Sequence, residues 1–227
     1  VEGPQRIHVA GVKDAREARL LAGCGVKRLG LPLALDHHAQ DLSVEQAAAL
    51  VAEVGARAGF FVITYLSTAE EVAQLCRTVG VDLVQLHGAV ADEELAALRR
   101  GRHELRVIKS LIVRGGDGEA LLHEARRVAP WVDAFILDTF DPETGASGAT
   151  GKTHDWTISR RLAESCPRPL ILAGGLRPAN VREAIVAVRP AGVDVHTGVE
   201  GADGRKRRDL VWRFVAEAEA GFRAVGG

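Results

Sequence analysis

Cysteine is scarce. Cys24, Cys76 and Cys166 are the only three thiols in 227 residues, an odd number, far apart and never in a CxxC pair. Such a set builds neither a disulfide framework nor a zinc knuckle; it suits a reducing compartment, with the thiols acting as small buried hydrophobes. Neither sign of charge is in excess, since 29 Lys and Arg against 30 Asp and Glu leave a formal net charge of −1. That removes any general electrostatic pull toward nucleic acid or a membrane surface. No apolar run approaches the roughly 20 residues that span a bilayer, and no charged-then-apolar leader opens the chain. His37 and His38 are adjacent, a spacing that sends side chains apart rather than onto one metal. The basic run Arg205 to Arg208 is too short for a nucleic-acid patch and reads as a solvated helix start. These exclusions leave a cytoplasmic protein with a small-molecule partner and neither metal nor organic cofactor.

What is present is a repeating alternation of short apolar or β-branched runs with longer amphipathic stretches, the βαβα pattern of a parallel sheet. The runs expected as strands are Arg6 to Ala10, Lys27 to Leu33, Ala58 to Thr64, Val81 to Leu86, Arg106 to Leu111, Val132 to Leu137, Pro169 to Ala173 and Val193 to His196. Eight such runs in a chain near the roughly 250 residues of the type predict an α/β fold, one (β/α)₈ TIM barrel in a single domain. Helix starts are marked by Asp14, by the capping-box pairs Ser43 with Gln46 and Thr68 with Glu71, and by Pro178, placed in the first turn of the next-to-last helix.

Two segments break the rhythm, Leu33 to Ser43 and Thr139 to Asp155. In a barrel both emerge at the C-terminal ends of strands, where active sites lie, so both are expected to be active-site loops. Gly174 and Gly175 end the seventh run, and Thr197 and Gly198 end the eighth. Paired glycines admit an anion close to the backbone, and barrel phosphate sites are often built from these two loops. Asp138 follows the apolar run Ala134 to Leu137, which predicts a carboxylate of raised pKa able to transfer a proton. Asp194 and His196 are two apart and so should share a strand face, as should His8 and Ala10.

With these residues on the page, the chain resembles the phosphoribosylanthranilate isomerase family over nearly its whole length. Gly11-Val12-Lys13-Asp14 is similar to the family's opening, Val84-Gln85-Leu86-His87-Gly88 to its fourth-strand motif, and Leu137-Asp138 to its catalytic aspartate motif. Gly148 to Trp156 resembles its Gly-Gly-Thr-Gly-Lys-Thr-Phe-Asp-Trp segment with Ala149 and His154 substituted; Leu172 to Leu176 and Gly192 to Glu200 complete the match. The resemblance implies an Amadori rearrangement: an acid opens a phosphoribosylamine ring to a Schiff base, then a base removes the C2 proton on the way to a ketose. It implies that Asp138 is the acid. It also implies a phosphate grip by Gly174, Gly175, Thr197 and Gly198, and substrate contacts from His8, Ala10, Gln40, Tyr65, His87, Lys109, Gly151 and Asp194.

Four departures bear on that implication. Where the family carries its cysteine base, in Lys-Ile-Cys-Gly, this chain reads His8-Val9-Ala10-Gly11. Where the family shows Ser-Pro-Arg after the second strand, it reads His38-Ala39-Gln40, without the planar fork that grips a carboxylate. Tyr65 stands for Asn, and His196 for Ser. Loss of a positioned base typically costs about 10² to 10⁴ in rate, which puts first a repurposed isomerase-type enzyme acting on another phosphorylated, ribose-derived molecule. Asp138 and His196 are then the catalytic candidates, with His8 or Tyr65 in reserve, in a monomer or homodimer. A divergent phosphoribosylanthranilate isomerase and a non-catalytic phosphate-binding subunit stay open beside it.

Overall fold

All eight apolar runs form strands: β1 Ile7–Ala10, β2 Arg28–Pro32, β3 Gly59–Thr64, β4 Leu83–Leu86, β5 Arg106–Val113, β6 Ala134–Thr139, β7 Leu170–Leu172 and β8 Gly192–Val195. The computed structural model describes residues 6–35, 41–102, 104–113, 118–139 and 156–226. Each strand pairs in parallel with the next, and β8 returns to β1 to close the barrel. Eight helices follow the strands: α1 Ala15–Gly23, α2 Val44–Val54, α3 Ala69–Val79, α4 Asp92–Gly101, α5 Gly118–Val128, α6 Trp156–Ser165, α7 Val181–Val188 and α8 Arg208–Ala224. The fold is the expected (β/α)₈ barrel.

Alternation along each strand sorts side chains into two cores. Phe61, Ile63, Leu83, Ile108, Ala134, Ile136, Ile171 and Ala173 pack together inside the barrel. Their neighbours Val62, Val84, Val107, Phe135, Leu137, Leu172 and Val193 face outward and join the layer beneath the helices. Burial on both faces is why these strands read as unbroken apolar runs rather than as alternating patterns. Cys24 and Cys76 lie in the outer layer, as expected of small hydrophobes, and Cys166 is half-buried at its edge.

The caps hold with two adjustments. Asp14 accepts the Glu17 N–H at 2.8 Å, and Ser43 and Gln46 form the complete reciprocal box. Thr68 accepts the Glu71 N–H, but Glu71 turns its carboxylate to the Thr68 hydroxyl at 2.5 Å instead of to the backbone, leaving half a box. Pro178 is not in the first turn of α7. Asn180 is the N-cap, and Pro178 sits in the preceding turn, closed by Asn180 N–H to the Arg177 carbonyl at 3.1 Å.

The basic run before α8 is not uniformly solvated. Arg205 and Arg207 are exposed, whereas the Lys206 side chain is fully buried, its Nζ donating to Glu200 Oε1 at 2.6 Å and to the His196 carbonyl at 2.9 Å. Glu17 on α1 accepts the Lys13 N–H at 2.9 Å and the Lys206 N–H at 2.8 Å, tying the start of the chain to the end of the barrel circuit.

Candidate active site

Asp138, one residue before the end of β6, faces inward, since it continues the inner series Ala134, Ile136. Among the described residues it accepts one hydrogen bond, from the Thr139 N–H to Oδ1 at 2.9 Å. One donor does not offset the loss of water, and burial pushes the carboxyl up to about 7. Such a group is half protonated near neutrality, the condition that suits proton transfer in either direction.

Asp194 reaches the same level by another strand. Leu137 is in register with Leu172, and Leu172 with Val193, so Asp138, Ala173 and Asp194 form one row across β6, β7 and β8. Ala173, the residue between them in the row, carries only a methyl group. Burial, then the Asp138 charge, pushes Asp194 up to about 8, against a weaker pull from Lys206.

On β1, His8 is level with Asp194 and its ring lies 5.3 Å from that of Phe61, which places His8 and, two residues on, Ala10 on the inner face. Ala10 is buried at the strand's end. β8 stops at Val195, and His196 leads into the following turn with φ −117° and ψ −86°. Its ring lies over Gly11, where an added Cβ would stand 2.1 Å from Nε2, and Nε2 is 3.6 Å from Glu200 Oε1. His196 thus borders the mouth beside β1.

Across the mouth, Tyr65 follows β3 and packs edge-on against His87 after β4, with ring centroids 4.9 Å apart. His87 Nδ1 is 3.1 Å from Ser110 Oγ, which also accepts from Gln85 Nε2 at 3.3 Å. Ser110 and Gln85 escaped notice as site residues, although each lies two positions beyond an inner apolar residue, Ile108 and Leu83. Lys109 is a correction. Its neighbours Ile108 and Ser110 point inward, so it projects outward beneath the helices, with Nζ 2.9 Å from the Ser110 carbonyl. Burial lowers its pKa and the Glu124 charge partly restores it. Lys109 is not brought to the mouth.

The glycine loops after β7 and β8 do meet. Gly174 and Gly175 adopt φ of 91° and 61°, and Asn180 holds their loop by accepting the Arg177 N–H at 2.8 Å and donating to the Gly175 carbonyl at 3.0 Å. A one-turn 3₁₀ helix runs over Thr197–Val199, and Gly198 abuts the Leu176 carbonyl. Gln40 and Gly151 lie outside the described residues, as do residues 36–40 of the first long loop and 140–155 of the second. Among the described residues, no three His, Cys, Asp or Glu converge in a way that could hold a metal ion, and no helix is long and apolar enough to cross a membrane.

Comparison with known proteins agrees with the fold. The family model for N-(5'-phosphoribosyl)anthranilate (PRA) isomerase matches residues 9–217. The chain is 37% identical over 221 residues to N-(5'-phosphoribosyl)anthranilate isomerase 2 of Methanosarcina mazei, covering 97% of this chain and 96% of that one. The crystal structure of phosphoribosyl anthranilate isomerase from Thermotoga maritima superposes with a TM-score of 0.80 at 28% identity, over 95% of this chain and 98% of that one. Another phosphoribosyl anthranilate isomerase, in complex with reduced 1-(O-carboxyphenylamino)-1-deoxyribulose 5-phosphate, superposes at 0.78 with 25% identity, over 95% and 98% of the two chains.

Proposed function

The chain belongs to the PRA isomerase family, and from that premise we propose that it is itself a phosphoribosylanthranilate isomerase of tryptophan biosynthesis, working by Asp138 proton transfer at the barrel mouth. The observation that carries the reading is Asp138: a dry, inward carboxyl with its pKa near neutrality, at the C-terminal end of a strand. Membership of an isomerase family sets aside the non-catalytic subunit. Similarity to curated isomerases over nearly the whole chain also reverses the order of the two enzyme readings and favours the tryptophan-pathway reaction.

The phosphate of the substrate is assigned to the meeting point of Gly174, Gly175, Thr197 and Gly198. The Gly198 backbone lies against the Leu176 carbonyl, which brings the main chains of the two loops together, and main-chain N–H groups are what an anion needs. The remaining sugar and anthranilate then lie across the mouth within reach of Asp138, with His8, Ala10, Tyr65, His87 and Asp194 as the pocket wall and Gln40 and Gly151 on the loops above.

One observation favours the repurposed enzyme as a second reading. The inward position ending β1 is Ala10, which can neither donate nor accept a proton. The test is turnover of phosphoribosylanthranilate, followed by the fluorescence of its anthranilate group. Conversion that Asp138→Asn lowers at least 100-fold supports the isomerase; saturable binding of the substrate without conversion supports the repurposed member.

A further inference from the structure

Ring opening and C2 deprotonation need two proton-transfer groups, and Asp138 is one. Asp194 is in place to be the other. Its Oδ1 is buried and receives no hydrogen bond among the described residues, although it sits in a row with Asp138 on the inner wall. At that level β7 between them presents Ala173, β5 beside Asp138 presents Ile112, and β1 beside Asp194 presents the imidazole of His8. Lys206 is the nearby cation that acts on Asp194, but its Nζ is bonded to Glu200 and to the His196 carbonyl, so it leaves the Asp194 oxygen open.

We propose that Asp194 is a catalytic residue that carries one proton jointly with Asp138, so that one carboxyl serves as acid while the other serves as base. This rests on the isomerase reading and adds to it the second group. Two carboxyls in a dry site do not both ionise readily, because each charge opposes the other; the proton they retain belongs to the pair. With the two groups pushed up to about 7 and about 8, the pair holds one proton between those limits.

The steps balance without another reactant. The protonated carboxyl gives its proton to the ring oxygen as the C1–O bond breaks, and the nitrogen lone pair forms the C1=N bond. The ionised carboxylate takes the C2 proton; the C2–H electrons form C1=C2, and the C=N electrons return to nitrogen. The pair again carries one proton, now on the opposite carboxyl. That proton goes to C1 while the enol O–H proton passes to the ionised partner, leaving a ketone at C2 and the pair as it began.

The experiment compares wild type, Asp138→Asn, Asp194→Asn and the double variant on phosphoribosylanthranilate across about pH 6 to 9, with ¹³C NMR titration of the aspartate carboxyls in the free wild-type protein. The wild type should give a bell in kcat/KM with limbs near 7 and 8. Each single variant should lose about 10² to 10⁴ in kcat, with the bell reduced to a single limb, and the double variant should lose little more than either, as residues acting as a unit do. Asp194→Asn with kcat within tenfold of wild type, or with a raised KM and an intact bell, overturns the proposal. So do two carboxyls titrating independently near the ordinary 4, a reading that needs no variant to fold. A wild type that never converts phosphoribosylanthranilate counts against the isomerase reading, while the titration still decides whether the pair exists.

Discussion

The Gly198 backbone lies so close to the Leu176 carbonyl that a Cβ at position 198 would stand 1.8 Å from that oxygen. Contact of this kind joins the loops after β7 and β8 into one surface, and only a residue without a side chain permits it. Gly198→Ala must therefore separate the loops. We expect a loss of about 1 to 3 kcal/mol, the usual cost of overpacking, and a KM for phosphoribosylanthranilate raised at least tenfold with a smaller change in kcat. Gly23→Ala is the control, because an added methyl there meets nothing within 4 Å at the exposed end of α1. Thermal melts and steady-state kinetics on both variants check the contrast.

Stability should fall as the solution becomes more alkaline, and Asp194 should be a main cause. The folded protein keeps the Asp194 proton up to about 8, whereas an unfolded chain releases it near 3.8. Between those values the folded state binds more protons, so its stability declines with rising pH and levels off beyond about 8. Asp138 acts in the same direction over a shorter span. Asparagine cannot ionise, so the stability of Asp194→Asn relative to wild type should rise by several kcal/mol between pH 5 and pH 8.5, read as a Tm difference that widens with pH. Equal melting curves at both pH values would remove the linkage.

Lys206 and Glu200 form the pair that anchors the end of β8 to the start of α8. The Lys206 side chain is fully buried and that of Glu200 is 14% exposed, so removal of the cation strands a carboxylate with little water to receive it. We expect Lys206→Met to cost about 3 kcal/mol, roughly 10 °C in Tm for a chain of this size. Arg207→Ala, one position along and more than half exposed, should leave the melt unchanged.

The barrel was legible in the order of its apolar runs, because strands buried on both faces concentrate β-branched residues whatever the loops do. Asp138 and Asp194 stood out for a related reason: a carboxylate inside or just after such a run has few places to go except the mouth or the interior. What escaped was orientation. Both faces of β5 are buried, so the run Val107-Ile108-Lys109-Ser110 gives no polar alternation from which to tell inside from outside. For His196 the pattern does not show the partners: nothing in Val195-His196-Thr197 announces that its ring lies over Gly11 and 3.6 Å from Glu200 Oε1. Lys206 was hidden by its neighbours, since in Arg205 to Arg208 the buried cation and the solvated ones carry the same charge. Its partner Glu200 lies six positions away across a turn, beyond the reach of helical or strand periodicity.

Lys109 is the sharpest test of that inside-outside assignment, since the resemblance places it among the substrate contacts and the strand geometry does not. Its ammonium has Glu124 of α5 nearby and the Ser110 carbonyl as acceptor. Removing it should therefore leave the mouth intact. We expect Lys109→Met to keep kcat and KM for phosphoribosylanthranilate within about twofold of wild type. Stability should change by no more than about 1 to 2 kcal/mol, because methionine fills the same space and no longer has a charge to desolvate. Ser110→Ala, one residue along on the opposite face, removes the oxygen that holds both Gln85 and His87. It should raise KM several-fold by releasing the His87 ring against which Tyr65 packs. A KM effect at Lys109 larger than the one at Ser110 would mean that β5 turns its lysine toward the substrate and that the assignment of its two faces is reversed.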